Sequence, residues 1–220
     1  MFRTDGNEIY INSEGIVLSL SSYGDKNIYA GLFIMNHGII RASLQHYSPV
    51  KKNTSRELQQ FSQAKFELVQ NKKHDKYYIK DINIISDPSA INMNREALHT
   101  AFRLSDLLEK YLIKRYADND LLMNFRSSMR LLECSNIVPV SATEFRFIWL
   151  WLEEWGLAPD LINFYSSKNF NSSEIILLTQ IQRLNTENVI KLFSYHVNQN
   201  IRMNSLKIAS DLALNFFNQK

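Results

Sequence analysis

The apolar period changes once along this chain, at Asp87-Pro88, and that switch limits the available folds more than any other feature. Before it, apolar side chains alternate with polar ones, as in strands that bury one face. Glu14–Ser21 sets Ile16, Leu18 and Leu20 on one side and breaks at Tyr23-Gly24-Asp25. Asn27–Met35 is a longer apolar strand that ends at Asn36-His37-Gly38. Ile39–Gln45 places Ile40, Ala42 and Leu44 opposite Arg41, Ser43 and Gln45. Ala64–Val69 and Tyr77–Ile85 follow, separated by the charged turn Asn71-Lys72-Lys73-His74-Asp75-Lys76.

After Pro88 the period becomes helical. Asn92-Met93-Asn94-Arg95-Glu96 offers a cap, and Leu98, Phe102, Leu108, Leu112 and Ile113 recur at helical spacing. Leu121, Leu122, Phe125, Met129 and Leu132 trace a second helix that closes before Pro139. Ser141-Ala142-Thr143-Glu144 has the form of a capping box, opening a helix that runs to Gly156 as its C′ residue. Further helices are expected over Ser173–Leu184, Thr186–Asn198 and Ser205–Asn218. The expected fold class is therefore α+β. A five-stranded barrel of the OB-fold type occupies residues 1–87, and an α-helical bundle domain follows over 88–220.

Composition narrows the function classes. The 220 residues are 45% hydrophobic and 21% charged, which excludes a disordered or low-complexity chain. A single cysteine, Cys134, excludes an internal disulfide framework and a cysteine-built zinc site. The polar opening Met1-Phe2-Arg3-Thr4-Asp5-Gly6 leads to no apolar export segment, and Phe145–Leu152 is too short to span a bilayer. A cytoplasmic protein away from membranes is expected.

Catalytic motifs are missing. The sequence has no Gly-rich phosphate loop, no G-x-S-x-G, no H-E-x-x-H and no C-x-x-C, and its histidines show no ligand spacing. Cys134 falls on the apolar side of the second helix, where a buried, inert thiol is expected. Glu153 and Glu154 are adjacent and read as a solvated helix edge, while Phe145, Phe147, Trp149, Trp151 and Trp155 read as core. No enzyme activity, cofactor or metal is expected.

Charge distribution says more than the net +3. Residues 41–80 hold nine basic side chains (Arg41, Lys51, Lys52, Arg56, Lys65, Lys72, Lys73, Lys76, Lys80) against Glu57, Glu67 and Asp75. Tyr47, Phe61, Tyr77 and Tyr78 are interleaved as candidates to stack on bases. Cations on the loops of a small barrel, with aromatic side chains between them, suit a single-stranded nucleic acid. Arg41, Lys51, Lys52, Arg56, Lys72, Lys73 and Lys76 are the candidate phosphate contacts. The alternatives are a barrel that only presents the helical domain to other proteins, and a small enzyme with an unrecognised site.

Several segments resemble the bacterial recombination mediator RecO family. Glu14-Gly15-Ile16-Val17-Leu18, Tyr23-Gly24-Asp25, Leu32-Phe33 and Asn36-His37-Gly38 are similar to its opening strands. Glu144-Phe145-Arg146-Phe147 through Gly156 and Ala158-Pro159-Asp160-Leu161 resemble its "F-R-x-x-L" helix and exit, and Asn204-Ser205 a segment before its last helix. The resemblance implies an OB-fold followed by a helical domain and a non-enzymatic role in DNA repair. That role comprises binding single- and double-stranded DNA, annealing complementary strands and working with RecR to load the recombinase RecA. It also implies that the helical domain receives the acidic C-terminal tail of single-strand-binding protein. Arg103, Lys110, Arg126, Arg130 and Arg146 are the cations available there, most of them expected on solvated helix faces. Two departures stand out. The family's four-cysteine zinc module is degenerate near 160–172, where Asn163 and Tyr165-Ser166-Ser167 stand, so no metal is expected. The family's Gly-Ala-Arg-Arg style loop is replaced by His46-Tyr47-Ser48-Pro49-Val50-Lys51-Lys52 and Ser55-Arg56.

Overall fold

The computed structural model describes residues 8–23, 27–45, 58–112, 116–159, 170–196, 208–211 and 213–215. Strands β1 (Glu8–Tyr23), β2 (Asn27–Ile34), β3 (Gly38–Gln45), β4 (Gln63–Asn71) and β5 (Lys76–Ser86) come first. Helices α1 (Ser89–Asn92), α2 (Arg95–Tyr111), α3 (Asn119–Glu133), α4 (Val140–Glu154), α5 (Ser172–Arg183) and α6 (Thr186–His196) follow, with further helical residues at 208–211 and 213–215. The class is α+β, a five-stranded sheet followed by helices.

The sheet closes on itself in the order β1-β2-β3-β5-β4. All neighbours are antiparallel except β3 and β5, which run parallel at Ala42–Tyr77 and Ser43–Tyr78. β1 begins at Glu8, earlier than the expected Glu14, because its first half pairs with β4 while its second half pairs with β2. An irregularity between Val17 and Ser19 lets this one strand bend to serve both partners. The barrel interior holds Val17, Leu32, Ile40, Phe66, Leu68 and Ile79, with Ala30, Ala42 and Ala64 leaving room for the larger groups.

Part of the outer face of β1, β2 and β3 is buried as well. Ile16, Phe33 and Ile39 lie directly opposite one another there and are almost fully enclosed. This explains why β2 is apolar on both faces, a pattern typical of strands covered on each side. Residues Phe102–Leu122 belong to the same compact unit as the barrel. Ser105 Oγ donates to the Leu18 carbonyl at 2.9 Å, and the Phe61 and Phe102 rings meet edge-on at 5.3 Å. The β2–β3 turn is fixed by a reciprocal pair, Asn36 N–H to Asn119 Oδ1 at 2.8 Å and Asn119 Nδ2 to Asn36 Oδ1 at 2.7 Å.

The second unit comprises Ala90–Ala101 and Met123 onward. Its centre is α4, buried from Ala142 through Trp149 and again at Trp151 and Leu152. Asn94 caps α2 as expected, accepting from the Glu96 and Ala97 amides. Gly156, at φ +67, closes α4 in the expected place. The capping box at Ser141–Glu144 is not formed. α4 starts at Val140 behind Pro139, so Ser141 is already inside the helix, and the Glu144 carboxylate accepts from Ser210 Oγ at 2.7 Å. The capping box lies instead at Asn171 and Glu174, opening α5. Cys134 is not on a buried helix face either; it follows the last residue of α3, in a turn, and is half-exposed. Trp155 is 38% exposed, whereas the other four aromatic side chains of α4 are core.

Candidate functional site

Strand register brings one band of side chains together on the outside of the barrel. Ala30, Ala42 and Tyr77 face the core, so their neighbours on β2, β3 and β5 face out. Tyr29 lies opposite Ser43, and Ser43 lies opposite Tyr78. The three form one cross-strand row, in which a small serine separates two phenol rings. Tyr29 is 44% exposed and Tyr78 is half-buried. One step along, Arg41 precedes Ala42 on β3 and Lys76 precedes Tyr77 on β5. Because Ala42 and Tyr77 are partners, Arg41 and Lys76 emerge side by side below the tyrosine row.

The β4–β5 hairpin adjoins this row. Asn71 Oδ1 accepts from the Lys73 amide at 3.0 Å and the His74 amide at 3.3 Å, shaping the turn. Asp75, at φ +51, completes it and accepts from Gln70 Nε2 at 3.1 Å. Lys72, Lys73 and Lys76 are exposed, and among the described residues they make no ion pair.

The other cations of the basic segment are placed differently. Lys65 pairs with Glu14 at 3.8 Å. Lys80 pairs with Glu67 at 3.1 Å and lies 5.1 Å from the centre of the Tyr10 ring. The hydrogen bond to Glu67 is the main reason its ammonium holds its proton more tightly than usual. Arg41 Nη2 is 3.8 Å from Glu109 Oε2 of α2. Lys51, Lys52, Arg56 and Tyr47 lie outside the described residues, as does most of the 160–172 segment, including Asn163 and Tyr165–Ser167. Phe61 and Tyr77 are 3% and 8% exposed, so they are core groups rather than platforms for bases. Tyr29, exposed where those two are not, is concealed in the apolar run of β2; its only signal is a tyrosine on the phase opposite Ala30.

Of the cations expected in the helical domain, Arg103 and Lys110 fall in the barrel's unit, and Arg126, Arg130 and Arg146 in the second. Arg103 and Arg126 are half-buried, and Lys110 is exposed with its ammonium 4.7 Å from the Tyr111 ring. Arg130 Nη1 donates to Glu133 Oε2 at 2.9 Å, and this bond raises its already high pKa. Arg146 corrects the expectation of a solvated face. It is 7% exposed, Nη2 donates to the Leu184 carbonyl at 3.2 Å, and burial pushes its pKa down. Its Nε and Nη1 have no partner among the described residues.

Among the described residues, no helix is long and apolar enough to cross a membrane, and no three His, Cys, Asp or Glu side chains gather as metal ligands. No family model matches the chain, and no curated protein matches it. Among solved structures, an aspartyl tRNA synthetase from Entamoeba histolytica is similar at 12% identity and a TM-score of 0.26. The likeness covers 74% of this chain and 35% of that one, and it is too slight to identify the fold.

Proposed function

We propose that the chain is a RecO-like recombination mediator built on an OB-fold barrel. It binds single- and double-stranded DNA, promotes annealing and helps load a recombinase onto strands covered by single-strand-binding protein. The observation that carries this reading is the outer row of β2, β3 and β5. There the Tyr29 and Tyr78 rings lie beside Lys76, with Lys72 and Lys73 on the adjoining hairpin turn, while Arg41 is held by Glu109. Rings two strands apart, at roughly 10 Å, can take separate bases without regard to sequence, while the cations take the phosphates. Annealing needs no covalent step. Cations that neutralise two backbones lower their repulsion, and base pairing supplies the driving force.

A RecR-like mediator and the tail of single-strand-binding protein are the protein partners this reading implies. Salt-titrated anisotropy with a fluorescent oligonucleotide, followed by an annealing assay, tests it. Binding that weakens steeply with salt is the expected result. No binding at low salt refutes it and favours an OB-fold scaffold for protein interactions. One observation speaks for that second reading: residues 102–122 belong to the barrel unit, and several of its cations are already ion-paired.

A further inference from the structure

Ser19, Gly31 and Arg41 form the row next to the tyrosines, directly opposite one another on β1, β2 and β3. Over them lies the carboxylate of Glu109. Ser19 Oγ donates to Glu109 Oε1 at 2.5 Å, and Arg41 Nη2 approaches Glu109 Oε2 at 3.8 Å. Gly31 makes this possible. A Cβ there would lie 2.7 Å from Glu109 Oε1 and closer still to Ser19 Oγ, so a side chain at position 31 would push the carboxylate and the hydroxyl from their present places. A hydroxyl donor, a guanidinium and an open backbone floor together suit one phosphodiester oxyanion.

We infer that this row is a phosphate subsite of the DNA interface which the chain's own Glu109 occupies as a phosphate mimic. The inference rests on the DNA-binding reading above and adds a competition to it. The strand's phosphate and Glu109 use the same Ser19 and Arg41 groups, so binding at this subsite requires the carboxylate to leave. Arg41 side-chain exposure is 70% and that of Glu109 is 24%, so an incoming strand meets the guanidinium first and must displace the partly enclosed carboxylate to complete the subsite. Glu109 lies in the last turn of α2, where a negative charge opposes the helix dipole, a placement that favours its release.

The test compares Glu109→Gln with wild type, using a fluorescent single-stranded oligonucleotide across a range of salt concentrations. The amide still accepts from Ser19 but no longer holds Arg41. Affinity should rise about two- to fivefold at low salt, the range of an exposed ion pair. The salt slope should steepen by about 0.7, the increment for one more neutralised phosphate on a single strand. Asp106→Asn, on the same helix, makes the same change in net charge and should leave the slope unaltered. Arg41→Ala should cost wild type less than twofold yet abolish the whole gain in the Glu109→Gln background. The inference is overturned if Asp106→Asn reproduces the gain, or if the gain survives Arg41→Ala. A loss of more than about fivefold from Arg41→Ala in wild type also overturns it, without needing the Glu109 variant to fold. Absence of binding by wild type and every variant instead defeats the DNA-binding reading itself.

Discussion

Replacing Gly38 by alanine should be the most damaging methyl addition on the barrel. Gly38 has φ +69, and its missing Cβ would meet the backbone of Tyr116, at 2.8 Å from the carbonyl carbon and 2.9 Å from the nitrogen. A left-handed alanine costs about 1–2 kcal/mol by itself. The obstacle is backbone, so no rotamer change relieves it, and the β2–β3 turn must move away. That movement breaks the two Asn36–Asn119 hydrogen bonds, each worth about 0.5–1.5 kcal/mol. The sum is a loss of about 2–5 kcal/mol. Gly156→Ala provides the control. Its φ is +67 and nothing lies within 4 Å of the added methyl, so only the conformational cost remains. Urea unfolding followed by far-UV circular dichroism should separate the two variants by about 1–3 kcal/mol. Faster amide exchange at Ile39 and Ile40 should accompany the loss in Gly38→Ala alone. If the two variants fall within about 0.5 kcal/mol of each other, the turn is not packed against Tyr116 and the reasoning fails.

Substituting Lys72, Lys73 and Lys76 together with alanine should flatten the salt slope for a single strand by roughly 2, reflecting three lost phosphate contacts. An unchanged slope would place the binding surface elsewhere. Tyr29→Ala and Tyr78→Ala should each weaken single-strand binding by about 1–3 kcal/mol, and duplex binding much less, as measured by parallel anisotropy titrations. Burial lowers the His37 pKa from 6.5, so the unfolded chain takes up its proton first. Its contribution to stability is therefore complete above that value and lost as pH falls toward the folded-state pKa, and His37→Gln should remove that part of the acid limb in pH-dependent urea melts. Arg146→Met should change stability by less than about 2 kcal/mol in either direction, because a buried cation held by one carbonyl returns little of its desolvation cost.

The strands are legible because turn residues punctuate their apolar runs, although the irregularity after Val17 puts Ile16 outside and Leu20 against the barrel core rather than on one face. A cap is legible in Asn92–Glu96, where Asn94 supplies it. The first half of β1 is not legible, since Ile9 and Ile11 alone make too short a signal and its pairing partner is β4. The box at Ser141–Glu144 failed for a physical reason. Pro139 takes the cap position two residues before Ser141, and the Glu144 carboxylate accepts from Ser210 instead. At the candidate site, Lys72, Lys73 and Lys76 followed from charge on a hairpin turn. The engagement of Arg41 did not, because Glu109 approaches it from another element. Nor did the Tyr29–Ser43–Tyr78 row, which exists only through the parallel register of β3 and β5. Local pattern tells which residues face out; long-range register tells which of them meet.

That same parallel seam bears on how the barrel folds. β1, β2 and β3 form a meander, and β4 with β5 a hairpin, so both can assemble from neighbouring segments. Closure requires β4 to find the first half of β1, and β5 to dock beside β3 over only Ala42–Tyr77 and Ser43–Tyr78. Those contacts join distant parts of the chain, so their loop-closure entropy is met last. Docking of the hairpin onto the meander is the expected late step, and variants at Ala42 or Tyr77 should chiefly speed unfolding rather than slow folding. The barrel would then gain its outer tyrosine row only as its last seam closes.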